Sequence, residues 1–128
     1  MKAPITTIDA PAAIGPYSQA IRSQDLLFLS GQIPLDPSSG QMVEGGIVEQ
    51  TERVLKNIRG VLQAAGASFD SVVKTTIFLT DLADFQTVNE LYGRFFSAPF
   101  PARSTVQVAA LPRGSRVEIE VIARIDRG

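Results

Sequence analysis

The sequence predicts one α+β domain in which two helices pack on one face of a mixed β-sheet. Apolar side chains recur at helical spacing from residue 47 to residue 65, and short segments rich in branched residues flank that stretch. Glycine or proline separates the segments. A chain of 128 residues has the length of a single domain, so domain bounds of 1–128 and an element order of ββαβαββ are expected.

The first half of the chain predicts two strands and a helix. Residues 17–22 and 26–30 favour short strands around a polar turn, and the proline- and glycine-rich residues 34–46 favour a loop. Residues 47–65 carry an apolar stripe opposite charged side chains, and Gly66 provides a stop signal. This is the clearest helix in the sequence.

The second half predicts a strand, a helix and two further strands. Residues 72–80 are rich in branched side chains, and the carboxylates of 81–84 precede an aromatic helical stripe. Residues 103–111 and 117–125 predict the last two strands, joined by a short connection. In the strand from 103, alternation assigns one row to the core and the other to the opposite face. The expected core row is Ser104, Val106, Val108 and Ala110, and the opposite row is Arg103, Thr105 and Gln107.

Composition excludes several classes of function. The 12 basic and 13 acidic side chains leave a net charge of -1, and no basic stripe predicts a nucleic-acid partner. The absence of cysteine and histidine removes disulfides, thiolate or imidazole metal sites and histidine acid/base catalysis. No segment is apolar enough for a signal peptide or a membrane span. We therefore expect a cytoplasmic protein that has neither a metal nor a membrane partner.

Arg103 is the first candidate for a ligand contact. Pro99 and Pro101 stiffen the segment before it, and a guanidinium held at a strand entrance is a planar fork that matches a carboxylate. The alternative from spacing alone is a solvated arginine at a strand end.

Glu118 is the second candidate, because it shares one face of the last strand with Glu120. Such a pair can act in acid/base chemistry or can simply form a wet strand face. Arg103 and Glu118 each begin one of two antiparallel strands, which predicts a separation on the order of 20 Å along the sheet. If both residues serve one small ligand, the site must lie between subunits, so we expect an oligomer.

Four further positions are candidates with open alternatives. Ser30 and Gly31 end a strand, where free backbone N–H groups can meet a ligand or where an ordinary strand-to-loop glycine can lie. Tyr17 opens a predicted strand and is either a core ring with a wet hydroxyl or a ligand contact. Asn89 follows Phe85 by one helical turn on an apolar edge, so its amide needs a partner if it is buried.

Several motifs occur together in a fixed order over nearly the whole chain. They are Ala-Pro-Ala-Ala-Ile-Gly-Pro-Tyr-Ser-Gln-Ala at 10–20, Ser-Gly-Gln-Ile-Pro at 30–34, Val-Lys-Thr-Thr-Ile-Phe at 73–78 with Asp-Leu at 81–82, Phe-Pro-Ala-Arg-Ser at 100–104, Val-Ala-Ala-Leu-Pro at 108–112 and Val-Glu-Ile-Glu at 117–120. In these motifs the chain resembles the RidA (YjgF) family of reactive-intermediate deaminases.

The resemblance implies a chorismate-mutase-like fold assembled as a homotrimer with clefts between subunits. It also implies a 2-iminobutanoate/2-iminopropanoate deaminase that uses no cofactor. Such an enzyme hydrolyses enamine/imine intermediates, for example 2-aminoacrylate released by amino-acid dehydratases, to 2-keto acids and ammonia.

Residue roles follow from the same resemblance. Arg103 matches the arginine that binds the substrate carboxylate, and Glu118 matches the glutamate that positions or activates water. Thr105 stands where some members carry a cysteine near the ligand, so it is expected to affect the preference among imines. The other matching pocket positions are Tyr17, Ser30, Gly31 and Asn89.

Two other functions remain open at this point. A noncatalytic binder of small 2-keto acids or related metabolites would use the same Arg103. An RNA-acting translation inhibitor is also implied by the family, but the net charge of -1 and the absence of a basic patch argue against it.

Overall fold

A computed structural model describes residues 1–125, so the last three residues of the predicted domain lie outside the described part. The strands are β1 (Lys2–Ile5), β2 (Ala20–Ser23), β3 (Leu26–Gln32), β4 (Val72–Leu79), β5 (Ala102–Gln107) and β6 (Val117–Arg124). The helices are α1 (Ile47–Ala64) and α2 (Phe85–Gly93), and single 3₁₀ turns occur at Phe69–Ser71, Leu82–Asp84 and Pro112–Gly114.

The strands form one mixed sheet with the order β1-β2-β3-β6-β4-β5. β4 and β5 pair in parallel, and the other neighbours pair antiparallel. This confirms the predicted α+β class and the order of elements from β2 onwards. The prediction omitted β1, which pairs Pro4 with Ile21 at the sheet edge. Proline donates no backbone hydrogen bond and is therefore found on edge strands, so a short segment that contains it gives little strand signal.

The core lies between the sheet and the two helices, on what we call the helix face of the sheet. Helix α1 directs its apolar stripe toward β3 and β6, as its spacing predicts. Residues with no exposed surface in this layer include Val54, Leu55, Ile58, Val61 and Leu62 of α1, Ile77 and Leu79 of β4, and Val117 and Ile119 of β6. Burial of these side chains is the main favourable term that holds the helices on the sheet.

The opposite side of the sheet, which we call the open face, is covered by no element of residues 1–125. Two large apolar side chains illustrate it, because Phe28 and Val106 are 41% and 42% exposed. The register places Arg103 beside buried Thr75 and Thr105 beside buried Ile77, so these two side chains are on the helix face.

The predicted assignment of the β5 rows is therefore wrong. Ser104 and Val106 pair with Thr76 and Phe78 on the open face, and strand β5 ends at Gln107 rather than at residue 111. The prediction placed the more apolar row in the core. At this edge strand, however, Arg103 of the polar row packs against α2, and Val106 stays 42% exposed on the open face.

Two absences apply to residues 1–125 only. In that range, no helix is long and apolar enough to cross a membrane, and no group of three or more acidic, histidine or cysteine side chains could hold a metal ion.

We predict that Gly60→Ala lowers the free energy of unfolding by about 1–2 kcal/mol, although alanine is the better helix former. Gly60 lies in α1, and a Cβ atom there would lie 2.5 Å from the backbone oxygen of Asp9. Urea unfolding would measure the change. Gly93→Ala in α2 is the matched control, because a Cβ atom there meets no atom within 4 Å. Equal stability of the two variants would contradict the packing argument.

Candidate active site

One face of helix α2 holds the side chain of Arg103 in position. Nη1 of Arg103 donates a hydrogen bond of 2.7 Å to Oδ1 of Asn89. The guanidinium carbon lies 5.0 Å from the ring centre of Tyr92 and 5.5 Å from that of Phe85. Residues 85, 89 and 92 share a helix face because they are spaced by four and three positions. One amide and two aromatic rings thus fix the direction of an otherwise exposed arginine.

Tyr92 is itself held in position by ring stacking and a hydrogen bond. Its ring is 4% exposed and stacks on Phe96 with centroids 4.2 Å apart. Its hydroxyl shares a 2.8 Å hydrogen bond with Oγ1 of Thr75, the register partner of Arg103 on β4. Burial raises the pKa of Tyr92, so the hydroxyl stays protonated and the ring presents a neutral π face to the guanidinium.

A cavity of about 440 Å³ opens beside the guanidinium of Arg103. Its wall consists of Asn89, Tyr92, Gly93, Phe100, Pro101 and Arg103. Asn89 takes one guanidinium nitrogen, and the others can donate to an anion in the cavity. Charge-assisted, paired donors of this kind suit a carboxylate. The arrangement can therefore hold a small organic acid.

Glu118 lies on the open face, opposite Phe78 of β4. Between Leu29 and Gln32 the pairing of β3 with β6 shifts by one residue, which is a β-bulge. A Cβ atom at Gly31 would overlap the carboxylate of Glu118, so the glycine permits the close approach. Burial, followed by the charge of Glu120, raises the pKa of Glu118. A half-buried carboxyl with a raised pKa is suited to exchanging a proton with water.

Arg103 and Glu118 do not meet within one chain. Their partners on β4 are Thr75 and Phe78, so they are offset by three residues, or roughly 10 Å along the strands. The predicted 20 Å is therefore an overestimate, because it ignored the stagger of the strands. The decisive separation is different: Arg103 is on the helix face and Glu118 is on the open face, with the sheet between them.

Ser30 and Tyr17 differ from the predictions in detail. The backbone N–H of Ser30 donates to the oxygen of Gln19, and its hydroxyl donates to the oxygen of Ser18 at 2.6 Å. This backbone N–H is thus engaged rather than free. Tyr17 lies before β2 instead of opening it, is 54% exposed, and accepts a 3.3 Å hydrogen bond from the backbone N–H of Ile14.

Thr105 is placed apart from the guanidinium cavity. Its side chain is on the helix face and its Oγ1 atom is buried without a hydrogen-bond partner in the described part of the chain. The structure thus brings Arg103 together with Asn89, and Glu118 together with Gly31. It places Tyr17, Ser30 and Thr105 outside the cavity beside Arg103.

Sequence reasoning missed the residues that support the candidates. Phe85 and Tyr92 belong to the aromatic stripe predicted for α2, and only the position of α2 beside β5 shows that their rings hold Arg103. Gln19 was also missed. It is 4% exposed, and its amide nitrogen lies within hydrogen-bond distance of the oxygens of Thr7, Ala10 and Pro11. A glutamine between Tyr17 and a strand gives no sequence signal of that role.

The fold and the site define a class: small α+β proteins with an arginine-lined cavity at the edge of a sheet whose other face is open. Residues 7–125 match the family described as Endoribonuclease L-PSP. The chain is 59% identical to mouse 2-iminobutanoate/2-iminopropanoate deaminase over 93% of this chain and 88% of the mouse protein. It belongs to the RidA (YjgF) family.

Solved structures agree with this placement. The crystal structure of RidA from the Antarctic bacterium Psychrobacter superposes with a TM-score of 0.92 at 46% identity, covering 96% of this chain and 99% of that one. Escherichia coli TdcF, described with bound serine, superposes with a TM-score of 0.91 at 40% identity, covering 97% and 99%.

We predict that Tyr92→Phe and Thr75→Val each lower the free energy of unfolding by about 1–2 kcal/mol, because each leaves a buried hydroxyl unpaired. The double variant removes both hydroxyls and should cost less than the sum of the two single changes. Urea unfolding of the four proteins of this cycle gives the coupling energy. Strictly additive effects would show that the Tyr92–Thr75 hydrogen bond does not stabilise the support of Arg103.

Proposed function

We propose that this chain is a 2-iminobutanoate/2-iminopropanoate deaminase that hydrolyses reactive enamine/imine intermediates, such as 2-aminoacrylate from amino-acid dehydratases, to 2-keto acids and ammonia. The observation that carries the proposal is the guanidinium of Arg103, which Asn89 and two aromatic rings aim into a 440 Å³ cavity. The identity of 59% to the mouse protein of that name supports the same reaction.

The mechanism requires little beyond positioning. Arg103 binds the carboxylate of the 2-imino acid, and a water molecule adds to the electrophilic C=N carbon to give a carbinolamine. The C–N bond then breaks, ammonia leaves, and a 2-keto acid remains. Holding carboxylate and water in one geometry makes this attack effectively intramolecular.

Glu118 directs the water in this mechanism. Its carboxylate accepts a hydrogen bond from the attacking water, can take a proton as the C–O bond forms, and can return it to the departing nitrogen. Its raised pKa brings it closer to the working pH than an ordinary carboxyl. Because residue 31 is a glycine, the Glu118 carboxylate has room to lie against the backbone of β3.

The site of a homotrimer would combine Arg103 of one subunit with the partner subunit's Glu118. Two observations support this assembly: the two side chains are on opposite faces of one sheet, and the open face exposes Phe28 and Val106. A cyclic, head-to-tail contact joins two different surfaces of the same chain and closes into a ring. Each interface would then complete one cleft.

The other predicted pocket residues have proposed roles within this assembly. The side chain of Tyr17 is 54% exposed, so a ligand or a partner subunit can reach its hydroxyl. Ser30 holds the strand that carries Gly31 by its bond to Ser18. Thr105 has a buried hydroxyl with no partner in residues 1–125, which a rotation about χ1 could turn toward a ligand. A cytoplasmic location likewise remains a prediction from composition.

The first test generates 2-aminoacrylate with a serine dehydratase and follows pyruvate release. We expect Arg103→Ala and Glu118→Ala to lose nearly all acceleration. When the two inactive variants are unfolded together, mixed and refolded, about a quarter of the clefts in random trimers should combine an intact Arg103 with an intact Glu118. Activity should therefore return in the mixture.

Several outcomes would contradict the proposal. If wild type and Arg103→Ala accelerate pyruvate release equally, Arg103 does not bind the substrate. If the refolded mixture stays inactive while its size and far-UV spectrum match wild type, the two residues do not form a shared cleft. Lys56→Ala on the polar face of α1 is the control for nonspecific loss of a cation.

We predict that the acidic limb of the pH profile of kcat/KM moves to lower pH in Glu120→Gln. Activity needs the carboxylate of Glu118 and falls as pH drops through its pKa. The neighbouring negative charge of Glu120 contributes to raising that pKa, so its removal makes Glu118 a stronger acid. Glu52→Gln on α1 is the control. A limb that stays in place or moves upward would exclude Glu118 as the titrating group.

A noncatalytic binder of small 2-keto acids is the second candidate, and the description of TdcF with bound serine favours it. The same arginine would hold the ligand. Isothermal titration with 2-oxobutanoate would then show affinity that falls in Arg103→Ala, without turnover of any imine offered. The family description Endoribonuclease L-PSP names an RNA-acting role, but a net charge of -1 without a basic patch argues against it.

A further inference from the structure

Arg116, the residue before β6, joins several segments of the fold, although it does not line the cavity beside the guanidinium. Its backbone N–H donates a 2.9 Å hydrogen bond to Oε1 of Gln50, near the start of α1. Its backbone oxygen accepts a 3.2 Å hydrogen bond from the N–H of Thr80, which follows β4. A Cβ atom at Gly46, the N-cap of α1, would lie 3.5 Å from Nη1 of Arg116. Residue 116 is therefore held at the N-terminal end of α1.

The side chain of Arg116 extends this connection to α2. Its Nη2 atom donates hydrogen bonds of 3.0 and 2.9 Å to the two carboxylate oxygens of Asp84. Asp84 is the N-cap of α2, but its carboxylate makes no cap hydrogen bond to the helix backbone. Capping is the usual role of an aspartate at this position. Here the carboxylate instead ties the start of α2 to residue 116.

Phe85 connects this ion pair to the candidate active site. It follows Asp84 as the first residue of α2, and its ring centre lies 5.5 Å from the guanidinium carbon of Arg103. A shift in the start of α2 therefore moves a ring that orients Arg103, together with Asn89 one helical turn further on. The ion pair adds little to global stability, because 43% of the Arg116 side chain is exposed. Its main effect is on the placement of α2.

We propose that Arg116 is a positioning residue, which acts through Asp84 and Phe85 to keep the guanidinium of Arg103 aimed at the substrate carboxylate without contacting the substrate. This rests on the proposed deaminase function and adds a residue to it. The carboxylate takes no part in the breaking C–N bond, so a misplaced guanidinium weakens the binding of substrate and transition state equally. Loss of such uniform binding raises KM and leaves kcat unchanged.

Four single variants isolate the ion pair. Arg116→Met and Asp84→Ala each remove one partner, whereas Arg116→Lys keeps a cation. One nitrogen of Arg116 contacts both carboxylate oxygens, so the ammonium group of a lysine, which is a point charge, can replace it. Arg113→Met is the matched control, because Arg113 lies in the same connection but donates to the backbone oxygen of Gly40. Thermal unfolding would verify that each variant is folded.

The experiment measures kcat and KM at levels of 2-aminoacrylate set by a serine dehydratase, and the Kd of 2-oxobutanoate by isothermal titration. In Arg116→Met and Asp84→Ala, KM and Kd should rise about fivefold to tenfold at nearly constant kcat, since a misplacement of about 1 Å suffices for such a change. The double variant should match the single variants, because both act through one contact. Arg116→Lys and Arg113→Met should bind 2-oxobutanoate as wild type does.

The outcomes separate this inference from the proposed function. No acceleration of 2-aminoacrylate hydrolysis by wild type would overturn the deaminase proposal, while the Kd values of 2-oxobutanoate would still test Arg116. If wild type bound no 2-oxobutanoate either, both proposals would fail. Unchanged KM and Kd in folded Arg116→Met, or an equal loss of affinity in Arg113→Met, would overturn the inference alone. Additive effects in the double variant, or a fall in kcat at constant KM, would also overturn it.

Discussion

The alternation of side chains along β4 is the constraint on which the site depends. Thr75 and Phe78 are three positions apart on this strand, so one is on the helix face and the other is on the open face. Arg103 pairs with Thr75 and Glu118 pairs with Phe78, and paired residues lie on the same face of a sheet. Arg103 therefore lies among the aromatic rings of α2, and Glu118 lies on the side without helices. The alternation of side chains, more than distance, therefore separates Arg103 from Glu118 within one chain.

Much of this fold could be predicted because its periodic signals are strong. Helix α1 and strand β4 carry long apolar patterns that only one secondary structure satisfies. The short edge strand β1 contains Pro4 and lacks such a pattern. Strand β5 also misled the prediction, because Val106 is apolar but exposed. At edge strands, the neighbours that decide burial lie in other parts of the chain or in another copy of it.

The candidate residues could be named from the sequence, but their surroundings could not. Arg103 and Glu118 stand in recognisable motifs, and motif residues carry chemistry that spacing alone can suggest. The hydroxyl of Tyr92, which reaches Thr75, and the contact of Gly31 with the Glu118 carboxylate arise from packing between distant segments. Such contacts depend on register and helix placement, which no local pattern records.

The bulge in β3 limits which changes in chain length this protein can accept. Leu29 and Gln32 are both nearly buried on the helix face although they are three residues apart, since the extra residue restores the parity of the strand. Deleting one residue there would remove the bulge: Leu29 and Gln32 would still share a face by ordinary alternation, but the backbone beside the Glu118 carboxylate would change. The turn around Gly40, a few residues later, has no bulge to preserve, so natural variation in length should accumulate there and spare the bulge of β3.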